Sequence, residues 1–222
     1  MIIKYVYLAL LAVVSIIHLV DSWNDDSKKR ARTKGFLLPL IILYYISAAD
    51  NISWFLLAAL ITSWLGDVLL IPKGNKWFAA GGISFLLAHL LFIATYAFQI
   101  NLGGVIWYIV IPAALIYFFT AGIVIKKLLP FTPKKMVIPM FAYLIANSAM
   151  NVFALMQLVS NFSTGSIIAF AGAVLFFVSD CTLFMVRFHE KTDIIFKRHF
   201  TVMLSYILGE LLITQGIIML TK

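Results

Sequence analysis

The chain has 222 residues, of which 63% are hydrophobic and only 12% are charged, and it contains a single cysteine, Cys181. A soluble domain of this length does not need so much apolar surface, and one cysteine excludes an internal disulfide. The net charge of +8 does not indicate nucleic-acid binding, because the basic residues stand in short segments between long apolar runs. The composition predicts an all-α, polytopic membrane protein with a single transmembrane domain over residues 1–222.

Eight apolar runs divide the chain. A run of about 18 or more apolar residues indicates a membrane-spanning helix. The predicted spans are 2–20, 35–49, 52–71, 78–100, 105–125, 136–159, 166–186 and 199–220. The second is short and contains Pro39, and residues 24–34 before it form a predicted polar loop. We therefore expect an integral, multi-pass protein with eight transmembrane helices, in the cytoplasmic (inner) membrane if it is bacterial.

The distribution of Lys and Arg predicts the orientation of the chain. Fifteen of the seventeen lie in the segments that follow predicted helices one, three, five and seven. Only Lys4 and Lys222 lie on the other side. Because basic loops stay on the cytoplasmic side of a membrane, both termini are predicted to be non-cytoplasmic.

A weak internal repeat relates the two halves of the sequence. Lys34 lies five residues before Pro39, and Lys134 lies five residues before Pro139. Each proline stands near the start of the helix before an Asp-bearing helix. Since four spans are an even number, two such halves would point the same way, related by an axis along the membrane normal. This predicts a 4+4 parallel repeat; chance similarity between leucine-rich helices is the alternative.

Two aspartates interrupt apolar runs in a similar way. Asp67 follows Ser63 by about one helical turn in the third span, and Asp180 follows Ser179 in the seventh. An ionised Asp at the centre of a membrane helix is unfavourable by roughly 2.5 to 3.5 kcal/mol. Ionising two neighbouring buried carboxyl groups is unfavourable, because their negative charges repel each other, so one is expected to hold a proton. The pattern predicts a proton donor and acceptor in one buried site; two unrelated structural carboxylates are the alternative.

Seven further polar residues stand inside the predicted spans or at their ends. Several recur at intervals of four residues, which places them on one helix face, and such polar faces point into a bundle rather than into lipid. We therefore predict that a substrate contacts His89, Tyr143, Asn147, Asn151, Arg187, Tyr206 and Glu210. Hydrogen bonding between helices is the alternative for Tyr143 and Asn151. His18 is expected to be structural.

The sequence contains no motif for a metal, a cofactor or a covalent nucleophile. The HExxH, GxSxG, CxxC and phosphate-binding glycine-loop patterns are absent. A metal held by Asp67, Asp180, Glu210 and His89 is conceivable, but their spacing does not require one. We therefore predict no metal and no cofactor.

Short motifs in a fixed order resemble those of a known family. In chain order they are Leu65-Gly66-Asp67, then Gly81, Gly82, Phe85 and His89, then Ser179-Asp180 before Arg187-Phe188, and finally Tyr206. The series resembles the YhhN-like lysoplasmalogenase family of eight-span membrane hydrolases. Two positions depart from that family's pattern: Gly35 stands where Pro is expected, and Glu210 stands where Gln is commoner.

The resemblance implies an enzyme that cleaves the vinyl ether bond of lysoplasmalogens into a fatty aldehyde and a glycerophospho-amino-alcohol. Asp67 and Asp180 match the family's catalytic aspartates. The chemistry agrees, because an acid must protonate the vinyl ether and a carboxylate must stabilise the cation and activate water. Asp180, the slightly deeper residue, is favoured as the acid and Asp67 as the base. The lysophospholipid is expected to bind from the cytoplasmic leaflet.

Two other classes of protein stay open on the residues alone. Buried carboxylates, proline-containing helices and a repeat are equally typical of a proton-coupled membrane transporter of a lipid or small amphiphile. A structural or sensory membrane protein would use its buried acids only to fix packing. Aldehyde release from a lysoplasmenyl lipid separates the enzyme from both.

Overall fold

Eight α-helices make up the part of the chain that this computed structural model describes, residues 2–189 and 195–221. In chain order, α1 to α8 are Ile3–Trp23, Ser27–Ala48, Trp54–Leu69, Asn75–Ala97, Trp107–Leu128, Lys134–Ser160, Thr164–Phe188 and Arg198–Leu220. A short 3-10 helix, Leu102–Gly104, precedes α5, and the described residues contain no β-strand. The all-α prediction is confirmed.

Six of the described helices, all except α2 and α3, are long and apolar enough to cross a membrane. α3 has 16 residues, fewer than the ~20 of a typical span. α2 has 22 residues, but its first turns are basic. By length and composition the chain is a multi-pass integral membrane protein, while the count of eight spans stays a prediction.

The predicted loop over residues 24–34 is wrong, because most of that segment is helical. α2 begins at Ser27, and the Asp26 carboxylate accepts hydrogen bonds from the backbone N–H groups of Lys28 at 3.1 Å and Lys29 at 3.0 Å. An acidic N-cap satisfies donors that the first helical turn leaves free, and Lys and Arg are good helix formers. Polarity alone therefore placed the start of α2 too late.

α7 and α8 lie in close contact along a line of small residues. A methyl group on Gly172 would meet the Ile213 nitrogen at 2.5 Å and the Gly209 carbonyl oxygen at 2.7 Å. A methyl group on Gly216 would meet the Ala169 nitrogen at 2.5 Å. Small residues let membrane helices approach this closely. The contact fixes the rotation of α7 against α8, and with it the direction in which α7 presents its aspartate.

A similar approach holds α3 against α4. A methyl group on Gly66 would lie 2.6 Å from the Phe85 ring. One on Gly81 would lie 2.8 Å from the Leu70 side chain. Gly66 and Gly81 are therefore packing positions, whereas a methyl group on Gly82 would meet nothing within 4 Å. Because Gly66 directly precedes Asp67, this contact also sets where α3 presents its carboxylate.

Aromatic rings fill the space between the two halves. Phe176 of α7 makes edge-to-face contacts with Phe85 and Phe92 of α4, with centroids 6.4 and 6.0 Å away. Its ring also lies 5.6 Å from that of Tyr206 on α8. Aromatic pairs favour this geometry. The cluster packs directly beside the polar residues that follow.

Candidate active site

A cavity of about 410 Å³ lies among α1, α2, α3, α4, α7 and α8. Asp67 and Asp180 are both in its wall, one near the end of α3 and one from the body of α7. Its volume is in the range of small-molecule sites, roughly 300–1,000 Å³. One cavity therefore brings together the two carboxyl groups, which stand far apart in the sequence.

Asp67 is 1% exposed and has two donors from other helices. The Tyr206 hydroxyl of α8 donates to Oδ2 at 2.8 Å, and the Lys34 ammonium of α2 lies 3.2 Å from Oδ1. Each oxygen thus has one hydrogen-bond donor, and one of the two donors is a cation. These are the partners of a carboxylate that accepts hydrogen bonds.

Asp180 is 3% exposed and has a different set of partners. The Asn147 side-chain amide of α6 donates to Oδ2 at 3.1 Å, and His89 Nε2 of α4 lies 3.1 Å from the same oxygen. The neighbouring Ser179 hydroxyl donates to the Val202 carbonyl oxygen at 3.0 Å. This bond ties α7 to α8 at the level of the carboxyl group.

The His89–Asp180 contact holds one proton. His89 Nδ1 lies 2.7 Å from the Phe85 carbonyl oxygen, which can only accept, so Nδ1 carries a proton. Nε2 faces Asp180, although the oxygen lies off the line of an Nε2–H bond. A bare lone pair would repel a carboxylate at this distance. One proton therefore belongs to the pair, on Nε2 or on Asp180.

Two of the seven predicted substrate contacts, Tyr206 and Arg187, line the cavity. Arg187 Nη2 donates to the Asn75 side-chain oxygen at 2.7 Å, and its guanidinium lies over the Phe78 ring, 4.9 Å from the centroid. The ring and the amide together hold this cation where α7 ends and α4 begins. Arg187 is therefore oriented before any ligand binds.

Four predicted contacts lie behind Asp180, outside the set of residues that lines the cavity: His89, Tyr143, Asn147 and Asn151. The Tyr143 ring packs edge-on against His89, with centroids 5.0 Å apart. Asn151 Nδ2 donates to the Asn147 carbonyl oxygen at 3.0 Å. His89 and Asn147 contact Asp180 directly, whereas Tyr143 and Asn151 contact those two residues. Contact of all four with a substrate stays a prediction.

Glu210 lies one turn beyond Tyr206 on α8 and is fully buried. It does not line the cavity, and neither of its carboxyl oxygens has a hydrogen-bond partner among the described residues. Ser63, one turn before Asp67 on α3, is a close polar neighbour but lacks the geometry of a hydrogen bond. The predicted substrate contact of Glu210 also stays a prediction.

The sequence pattern did not identify Lys34 as the partner of Asp67. Lys34 stands in a basic stretch that is typical of any cytoplasmic segment, and no spacing rule connects it with a residue on another helix. His18, which was expected to be structural, and His199, for which no role was predicted, also line the cavity. The available signal was weak: a histidine inside an apolar run, as at His18, is itself uncommon.

Asp25, in the turn between α1 and α2, joins that turn to α8. Its oxygens lie 2.8 Å from Arg30 Nη1, 3.0 Å from Arg198 Nη2 and 3.5 Å from His199 Nε2. Partial burial opposes the charge, but hydrogen bonds from Arg198 and Arg30 outweigh it, so the pKa of Asp25 lies below its ordinary value. These four residues form the Asp25 cluster, and three of them, Arg30, Arg198 and His199, line the cavity.

The described residues assemble no group of three or more His, Cys, Asp or Glu side chains that could hold a metal ion. The family-model comparison is more informative. The model of the YhhN family matches residues 29–217, most of the chain. The chain belongs to the YhhN family. The searches of curated proteins and of solved structures found no match.

The matched range of this YhhN-family protein contains both aspartates and all four of their partners. The family resemblance that the sequence motifs predicted is therefore confirmed. Membership in the YhhN family is consistent with a membrane hydrolase, in agreement with the apolar helices of the chain.

Proposed function

We propose that this YhhN-family protein is a lysoplasmalogenase, an ether hydrolase that converts lysoplasmalogens into a fatty aldehyde and a glycerophospho-amino-alcohol. The observation that supports this proposal most strongly is that the two carboxyl groups lie in one cavity wall but have chemically different partners. Asp180 lies 3.1 Å from His89 Nε2, an arrangement that places one proton on the pair, whereas Asp67 accepts hydrogen bonds from Tyr206 and from the Lys34 cation. A proton donor beside an ionised acceptor is what vinyl ether hydrolysis requires.

Protonation of carbon begins the proposed reaction. The proton of the His89–Asp180 pair passes to the vinyl carbon remote from oxygen, and the electron pair of the C=C bond forms the new C–H bond. The product is an oxocarbenium ion, with its positive charge shared by the adjacent carbon and the ether oxygen. The Asp67 carboxylate stabilises this cation, more strongly in a buried site than in water.

Water then completes the hydrolysis. A water molecule adds to the cationic carbon while Asp67 takes one of its protons, and the product is a hemiacetal. The bond between that carbon and the glycerol oxygen breaks, and the leaving oxygen receives the proton held by Asp67. The hemiacetal hydroxyl returns its proton to the His89–Asp180 pair as the aldehyde forms. One water is consumed, and both carboxyl groups regain their starting states.

The lining of the cavity suits a phospholipid with one chain. Its basic end can hold a phosphate, because guanidinium groups donate parallel hydrogen bonds to phosphate oxygens. These cations are Arg30, Arg187 and Arg198. Apolar contacts for the chain come from Leu70, Phe78, Leu183 and Met203. A head group at the basic end and a tail between the helices would bring the ether bond toward the aspartates.

We also propose the eight-span topology, with non-cytoplasmic termini and a parallel 4+4 repeat. Each aspartate takes one partner from the helix before its own, Lys34 of α2 or Asn147 of α6. The second partner of each aspartate comes from the last helix of the opposite half: Tyr206 of α8 for Asp67, and His89 of α4 for Asp180. Two parallel halves related by an axis along the membrane normal would exchange partners in this way.

The direct test supplies purified protein with a 1-alkenyl lysoglycerophosphoethanolamine and measures fatty aldehyde. The saturated 1-alkyl analogue is the matched control, since it has the same shape but no C=C bond to protonate. In deuterium oxide, we expect one deuterium at the carbon next to the aldehyde group. Flux of the lipid across vesicles without any aldehyde would identify a transporter instead.

A further inference from the structure

His18 of α1 is a buried histidine with one ring nitrogen unaccounted for. It is 1% exposed and lines the cavity, and its Nδ1 lies 2.7 Å from the Thr33 hydroxyl. Nε2 has no hydrogen-bond partner among the described residues. A purely structural role explains Nδ1 but not Nε2, since buried polar atoms in native proteins normally have a partner.

The hydrogen bonds of Thr33 assign the tautomer of His18. The Thr33 hydroxyl has one proton and donates it to the Arg30 carbonyl oxygen at 3.3 Å. With that proton on the Arg30 carbonyl oxygen, the hydroxyl accepts from His18, and this arrangement places the ring proton on Nδ1. Arg30 and Lys34 line the same cavity, and their positive charges oppose a second proton on the ring. Nε2 is thus a bare acceptor.

The surroundings of Nε2 define the chemistry of its ligand. A bare nitrogen accepts hydrogen bonds and cannot donate, so a phosphate oxygen does not suit it. The neighbouring cations Arg30 and Lys34 disfavour an ammonium group at the same place. What fits is a neutral hydroxyl. A lysoplasmalogen carries one on the glycerol, the free sn-2 hydroxyl that a two-chain lipid lacks.

We propose that His18 Nε2 accepts a hydrogen bond from the sn-2 hydroxyl and thereby selects lysolipids, an inference that rests on the proposed function. The location agrees with this role. Lys34 Nζ lies 3.2 Å from Asp67 Oδ1, and Lys34 and His18 belong to the same α1–α2 side of the cavity. The sn-2 hydroxyl stands on the carbon next to the one that bears the ether oxygen. An acylated sn-2 oxygen has no proton to offer Nε2.

Two substitutions separate the roles of the two ring nitrogens. His18→Asn keeps a donor near the position of Nδ1 and removes the distal acceptor, whereas His18→Gln keeps an acceptor near the position of Nε2. The ligands are a non-hydrolysable 1-O-alkyl lysoglycerophosphoethanolamine with a free sn-2 hydroxyl and its 2-deoxy analogue. Binding of each to the full chain in detergent is measured by titration, and thermal melting checks that the variants fold.

We expect the wild-type protein to bind the hydroxyl lipid about tenfold or more tightly than the 2-deoxy lipid. His18→Asn should bind the two equally, and His18→Gln should keep part of the preference. Equal binding by the wild type, or an unchanged ratio in His18→Asn, overturns the proposal and assigns Nε2 to water. If His18→Asn fails to fold, the wild-type ratio and His18→Gln decide.

This titration and the aldehyde assay together keep the inference apart from the proposed function. A hydroxyl preference that depends on His18, found without any aldehyde release from the alkenyl lipid, would overturn the hydrolase and leave the binding site. Aldehyde release without the hydroxyl preference would support the hydrolase and overturn the His18 proposal. Failure of the wild type to bind either lipid would overturn the His18 proposal.

Discussion

At the scale of single residues, Lys34 sets the charge balance of the site. It supplies the one cation beside Asp67 among the described contacts, and its side chain is 17% exposed. Removing one partner of a buried ion pair is destabilising by roughly 3–5 kcal/mol, and the partial exposure of Lys34 moves the expected value below that range. We expect Lys34→Met to lower the melting temperature and to reduce aldehyde release at least about tenfold.

Lys29→Met is the matched control for Lys34→Met, because Lys29 is on the same helix, is mostly exposed and, within the described part of the chain, forms its ion pair with Asp26. Lys29→Met should leave the melting temperature and the rate of aldehyde release unchanged. Lys34→Arg should keep most of the activity. A Lys34→Met protein with wild-type activity would show that Asp67 needs no cation and would contradict its assignment as an ionised base.

Contacts between individual residues on different helices could not be predicted from the sequence. Asp67 and Asp180 could be predicted to share a site because a carboxylate in an apolar run needs a polar interior. Their partners Lys34 and His89 could not be paired with them, because contacts between helices depend on the rotation and depth of each helix. Spacing along one helix determines only which residues share its face.

At the scale of helices, the α7–α8 contact positions Asp180. Gly172→Ala would place a methyl group 2.5 Å from the Ile213 nitrogen, so the two backbones must separate. Overpacking of this kind costs about 1–3 kcal/mol, and we expect a lower melting temperature together with reduced aldehyde release. The control is Gly122→Ala in α5, where a methyl group meets nothing within 4 Å.

Gly122→Ala should be neutral or stabilising, since Ala favours a helix over Gly by about 1 kcal/mol. Melting curves of the two variants, recorded side by side, make the comparison. Equal melting temperatures would mean that α7 and α8 are not packed at Gly172 as described.

The Asp25 cluster predicts how the α1–α2 turn responds to acid. Because the folded pKa of Asp25 is depressed, its contribution to stability is present above the unfolded value of about 3.9 and is lost as pH falls through the folded value. Asp25→Asn should therefore melt below the wild type at neutral pH. The gap should be small, since exposed ion pairs contribute about 0–1 kcal/mol, and it should close at acid pH. A gap that widens on acidification would contradict the ion pairs.

Helices themselves were the most predictable part of the fold. Long apolar runs with turn formers between them predicted all eight, because burying backbone polar groups in a membrane requires a helix. The start of α2 was missed because a basic helical turn and a basic loop have the same polarity. The sequence signal for the true start was Asp26, an N-cap residue whose side chain accepts from the backbone N–H groups of Lys28 and Lys29.

At the scale of the whole molecule, the orientation in the membrane is open to a direct test. Lys127, in the last turn of α5, and Phe162, just after the end of α6, are both exposed and flank α6 in the sequence, and Phe162 is 77% exposed. With Cys181 replaced by Ser, Lys127→Cys should react with an impermeant thiol reagent only from the cytoplasm. Phe162→Cys should react only from the other side. Reaction of Phe162→Cys from the cytoplasm would contradict the eight-span topology.

The central claim is that Asp67 and Asp180 act as one site, and aldehyde release by the two Asn variants and their double mutant tests it most directly. Asn keeps the shape of Asp but cannot cycle a proton. Each single variant should lose at least about 10²–10⁴-fold in rate, and the double mutant should lose little more, because residues that act as a unit are not additive. Asp50→Asn, at an exposed carboxylate outside the cavity, should keep full activity. Appreciable activity in Asp67→Asn or Asp180→Asn, with the folded protein intact, would contradict the account.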